Sequence, residues 1–115
     1  MTNDQIDGAF KSLYDAQRAA HLLYMDLRDA GDAAGAANAK LRADRLQNEI
    51  DNVINKELTD WQAGAESLIP RLSVAATNAQ KAVDQVASDV ENAQKVVSAM
   101  QALDKAIGVA MKFIG

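Results

Sequence analysis

Apolar residues recur along this chain at spacings of three and four, with no run of strict apolar–polar alternation. That spacing puts them on one face of an α-helix, so the pattern predicts an all-α protein. Written as heptads, the first segment places Ile6, Leu13, Ala20 and Leu27 at a, and Ala9, Ala16, Leu23 and Ala30 at d. Phe10 and Tyr24 widen the stripe. A helix over 4–30 follows, with Gly31 placed as the glycine just past its C-terminus. Beyond that point the first phase fails, because it would bring Asp44 and Asn48 into the stripe. A new phase takes over, with Ala36, Ala43 and Ile50 at a and Ala39, Leu46 and Val53 at d. A phase change beside Gly31 and Gly35 predicts a separate second helix over 35–58. The alternative is one long helix carrying a stutter.

The segment Thr59–Gly64 is the next boundary. Pro70 lacks an amide hydrogen and suits only a first helical turn, so a helix capped by Ser67 and starting at 68 is expected. From there every seventh residue is apolar: Leu72, Ala79, Val86, Ala93, Met100, Ile107 and Ile114. The d row holds Ala75, Ala82, Val96, Leu103 and Ala110, broken once by Asp89. No glycine or proline interrupts the repeat before Gly108. The expectation is one continuous helix over 68–114, of which the repeat from Leu72 covers roughly 65 Å at 1.5 Å per residue. Its seven-residue period implies left-handed coiled-coil packing.

These elements make a single helical domain over 1–115, an antiparallel three-helix, coiled-coil-like bundle with a long C-terminal helix. Two other arrangements satisfy the same pattern. One is a long helical hairpin turning near Trp61–Gly64; the other is a closed four-helix bundle with a break near Ser98. In the three-helix arrangement the first two helices span roughly 35–40 Å each. The end of the third then has no cover. That end carries Val97, Met100, Leu103, Ile107, Met111 and Ile114, and leaving such side chains in water forfeits roughly 1.5 kcal/mol or more for each large one. These six, with Trp61 as an anchor beside the turn, are the predicted interface residues. The function this implies is helical association. The chain would be a non-enzymatic adaptor, secretion accessory or immunity-type module that binds itself or a foreign protein, with a homo-oligomer the leading form. The second option is a membrane-active or lipid-surface helical protein, one component of a larger assembly.

Composition narrows the chemistry. The chain has 115 residues, a net charge of -4, no cysteine and one histidine. Without cysteine there is no disulfide scaffold, thiol chemistry or cysteine-ligated zinc site. A mildly acidic balance with no basic block and 4% aromatic residues disfavours a nucleic-acid partner. His21 has no Glu-x-x-His or His-Glu-x-x-His setting, and the carboxylates Asp26, Asp29 and Asp32 step around their helix instead of sharing a face. No catalytic residue, metal site or cofactor is therefore expected. The N-terminus lacks a charged and apolar leader, and no apolar run reaches 18 residues, so the expected location is cytoplasmic, with signal-less export left open.

The mid-chain segment Trp61-Gln62-Ala63-Gly64 resembles the Trp-x-Gly turn of small secreted helical-hairpin proteins. Here the spacing is Trp-x-x-Gly, the chain runs on through Pro70, and the family's Tyr-x-x-x-Asp/Glu signal is missing after the second helix. The likeness covers four residues and carries no function over.

Overall fold

The structure is a computed structural model that describes residues 3–55 and 65–113. Among them are four α-helices: α1 (Asn3–Asp29), α2 (Ala33–Asn55), α3 (Ala65–Ser88) and α4 (Ala93–Ala110). The first two follow the sequence pattern closely. Every a and d position assigned to α2 is buried, as are Leu13, Ala20 and Leu27 and Ala9, Ala16 and Leu23 of α1. The joint between them is a Schellman motif. The Gly31 N–H donates to the Arg28 carbonyl (3.0 Å), and the Asp32 N–H donates to the Leu27 carbonyl (2.9 Å). Gly31 takes φ +83°, a conformation that costs any residue with a Cβ. Asp32 then caps α2, its Oδ1 accepting the Gly35 N–H at 2.9 Å. Helices α1 and α2 are therefore separate, which removes the long-hairpin arrangement.

The expected long C-terminal helix is two helices. The chain leaves α3 at Ser88 and starts α4 at Ala93, so the described residues form four helices and not three. The break lies at 89–92, a few residues before Ser98. Two local groups make it. The Asp89 carbonyl accepts the Asn92 N–H (3.1 Å), closing a turn. Asn92, with extended backbone, caps α4 through Oδ1, which accepts the N–H groups of Gln94 (3.1 Å) and Lys95 (3.2 Å). Asp89 also holds Lys95 Nζ at 3.4 Å. The seven-residue repeat does not run through this turn. In α3 the buried row includes Leu72, Ala79 and Val86, as expected, whereas in α4 and just beyond it is Ala99, Leu103, Ala106, Ala110 and Phe113, flanked by Ile107. Ala93 is exposed and Met100 half-buried. A straight helix from Leu72 would measure roughly 65 Å, longer than the 45 Å long dimension of the bundle.

The start of α3 also differs from the sequence reading. It begins at Ala65, so Pro70 sits inside the helix and not in its first turn. Pro70 cannot donate to the carbonyl four residues back, and its exposed ring faces outward at this early point of the helix.

The helices run up, down, up, down as two antiparallel hairpins laid side by side. Gly8 to Asp15 of α1 lie along Ile69 to Gln80 of α3, and Asp15 to Leu22 lie along Gln80 to Asp84. α1 and α3 are therefore parallel neighbours. α2 and α4 are the other parallel pair, tied by Arg42 and Asp104. The backbones of α2 and α3 stay apart, across a diagonal. Two apolar clusters fill the interior. The one reaching toward the two interhelical turns is rich in alanine, including Ala16, Ala20, Ala39, Ala79 and Ala106, which lets the helices approach closely. The one at the opposite end is bulkier, with Leu13, Ile50, Leu72 and Phe113. Phe113, one step past α4, is 1% exposed and closes that end.

Candidate functional site

The fold-back redistributes the predicted interface residues. Leu103 and Ile107 lie in the core beside Ala99 and Ala106. Met100 is half-buried against the same cluster, while Val97 and Met111 remain exposed, at 53% and 60%. Trp61 and Ile114 lie outside the described residues. Of these positions, Leu103 and Ile107 face the core, Met100 lies at its edge, and Val97 and Met111 face solvent.

What the fold-back creates is a groove. Where α3 and α4 pass each other, Pro70, Arg71, Val74, Ala75 and Asn78 form one wall and Lys105, Gly108, Val109 and Lys112 the other, around a space of about 580 Å³. Small residues hold it open. Ala75 projects only a methyl group, and a Cβ built on Gly108 would meet nothing within 4 Å. Val74 stands at its lip, 61% exposed. The helical periods explain the walls. Residues 70, 74 and 78 share one face of α3, and residues 105, 108 and 109 share one face of α4, with Lys112 in the turn just beyond it. Toward the interhelical turn the same groove continues between Asn78 and Ser98, Gln101 and Ala102, and becomes polar.

Its electrostatics run against the charge of the whole chain. The apolar end carries Arg71, Lys105 and Lys112, and no carboxylate of a described residue lines it. None of the three cations forms an ion pair with a described residue. The nearest acidic side chain along the groove, Asp104, is already engaged. Arg42 Nε donates to its Oδ1 at 2.9 Å and Arg42 Nη2 to its Oδ2 at 3.1 Å, a two-pronged pair that satisfies both partners. A chain of net charge -4 thus presents a locally cationic, apolar-floored channel.

Elsewhere the described residues offer little chemistry. His21 is exposed, its ring 6.0 Å from that of Tyr24. The Arg28 guanidinium sits 5.4 Å from the Tyr24 ring centre, in the range of a cation–π contact. Asp26 is half-buried, and desolvation, with the nearby Asp29 charge adding, raises its pKa above the ordinary 3.8. No group of three or more His, Asp or Glu side chains among the described residues could hold a metal ion, and no described helix is long and apolar enough to cross a membrane.

The sequence reading noted Lys105 and Lys112 on the C-terminal segment but not the groove. Arg71 and Val74 face them only because Asp89 and Asn92 turn the chain back. The signal that could have found it was the pair Asp89-x-x-Asn92, a turn closed at one end and a helix cap at the other. Comparison of the chain with protein families, curated proteins and solved structures gives no match.

Proposed function

We propose that this chain is a non-enzymatic helical interaction module and that it holds a protein partner in the groove between α3 and α4. The observation that carries this reading is the unpaired cationic rim around an apolar floor. Open apolar surface rimmed by polar groups is the common form of a protein-docking site. Leu103, Ile107 and Phe113 are covered within the chain, while Val97 and Met111 stay exposed.

The test is a photo-crosslinking residue placed at Val74, inside the groove, and a control placed at Arg45, on the exposed face of α2. In the cells that make the protein, the Val74 probe should give one discrete protein adduct that the Arg45 probe does not. A Val109→Asp substitution in the same chain should abolish it. Equal, diffuse labelling from both positions would defeat the reading.

A further inference from the structure

We infer that the partner segment is an amphipathic helix whose apolar stripe is flanked by carboxylates, two on one edge and one on the other. The inference rests on the groove being a binding surface, and it adds the chemistry of what binds there. Three observations lead to it. The first is shape. The groove is bounded by two helices and follows α4 from Ser98 to Lys112, roughly 21 Å or four helical turns. This shallow, open face between two helices accepts a third helix packed against both walls. The second is charge placement. Lys105 and Lys112 lie on one wall, seven residues apart, and Arg71 lies on the other. Lys105 is on α4 and Lys112 in the turn just past its end, where the Met111 N–H still donates to the Ile107 carbonyl (3.0 Å), so the two stand about two helical turns apart, roughly 10.5 Å along the axis. A helix lying antiparallel or parallel to α4 repeats that spacing when its own acids are seven apart, so both ion pairs can form at once. The third is that, among the described residues, no carboxylate pairs with the three rim cations, and Asp104 is held by Arg42.

The contact is most apolar at the end near Val74, Ala75 and Val109 and becomes more polar toward Asn78, Ser98 and Gln101. The fitted helix therefore has its large apolar residues in two turns and polar residues in the next two. A second copy of this chain would reach the groove with a different surface of its own. Such a head-to-tail contact builds a ring or a filament of copies; a foreign helix is the occupant inferred here, and a second copy is an outcome of the test.

The experiment uses the full chain, isotopically labelled, and three probes. The first is a synthetic 18-residue helix-favouring peptide with leucines in two turns and glutamates at positions seven apart flanking them. The second is the same peptide with lysine for every glutamate. The third is vesicles of phosphatidylcholine with phosphatidylglycerol. The inference expects the acidic peptide to shift amide resonances of 70–78 and 105–112 and not those of α2. It expects the lysine peptide and the vesicles to leave those resonances alone. Binding should weaken about tenfold in the Lys105→Glu/Lys112→Glu variant, and that variant should gain affinity for the lysine peptide. Both lysines are exposed, and an unchanged amide spectrum outside the groove verifies that the variant is folded; Lys105→Gln/Lys112→Gln serves if it is not. Equal binding of both peptides at the groove would overturn the acidic-partner inference and leave the docking site standing. Shifts produced by vesicles alone, or concentration-dependent shifts of the same residues with no probe added, would overturn it in favour of a lipid or a second copy. A groove untouched by every probe at millimolar concentration would overturn both this inference and the docking site.

Discussion

Replacing Asn92 by alanine distinguishes the folded-back bundle from a chain with a continuous C-terminal helix by the sign of its effect. In the bundle, Asn92 is the cap of α4, and its Oδ1 accepts two N–H groups, those of Gln94 and Lys95. Alanine removes both bonds. Losing a cap of this kind costs about 1 kcal/mol, within a range of roughly 0.5–2. The Lys95 bond is partly buried, so water replaces it only in part, and the upper half of that range applies. For a chain of 115 residues a loss of 1 kcal/mol lowers Tm by about 4 °C. In a continuous helix the same position would be an interior one, where alanine is the better helix former by roughly half a kcal/mol. The substitution would then stabilise. Urea titration followed by circular dichroism, with Tm measured alongside, reads the sign directly. Asn92→Asp is the companion variant, because it keeps the acceptor and should lie within a few tenths of a kcal/mol of the parent. An Asn92→Ala chain that is as stable as the parent, or more so, would refute the capped turn.

Three further outcomes follow from the packing. Leu103→Ala, at a fully buried site, should cost about 2–5 kcal/mol, while Val97→Ala, a position 53% exposed, should change stability by less than about 0.5 kcal/mol; urea titrations of both measure the contrast. Gly31→Ala forces a Cβ into φ +83° and should cost about 1 kcal/mol in the same assay. Asp26→Asn should raise Tm at pH 7. The folded-state pKa of Asp26 lies above its unfolded value, so its charged form opposes folding at neutral pH. That opposition fades as pH falls through the raised pKa and is gone below the ordinary 3.8. The variant's advantage should therefore vanish in thermal melts at pH 3, and an advantage independent of pH would contradict the burial of that carboxyl.

The first hairpin was legible from sequence because each of its signals acts locally. The stripe through Leu13, Ala20 and Leu27 has one phase, the stripe through Ala39, Leu46 and Ile50 has another, and Gly31 marks the change with a backbone conformation glycine favours. The second hairpin hid its turn. Residues 89–92 contain no glycine or proline, and Val90 within them reads as one more apolar position. Alanine and valine on both sides kept a seven-residue repeat alive across the break. Those small residues suit several faces of a helix equally well, so the phase of α4 is set by its large members, Leu103 and Ile107, with Phe113 just beyond it at the core. The groove was illegible for a further reason. Arg71 and Lys112 are far apart in sequence, and they share a surface only after Asp89 and Asn92 reverse the chain.

That reversal is the claim on which the fold and the groove both depend, and one distance tests it. The chain contains no cysteine, so cysteines introduced at Arg71 and Lys112 are the only labelling sites. Spin labels there, read by pulsed dipolar spectroscopy in dilute solution with unlabelled protein in excess, report the separation within one molecule. The bundle places both residues around one groove, in a cross-section of 21 × 18 Å. The account predicts a single narrow population at about that scale. A continuous helix would hold the same residues roughly 60 Å apart, and a dominant population at that distance would contradict the four-helix fold and the site built on it.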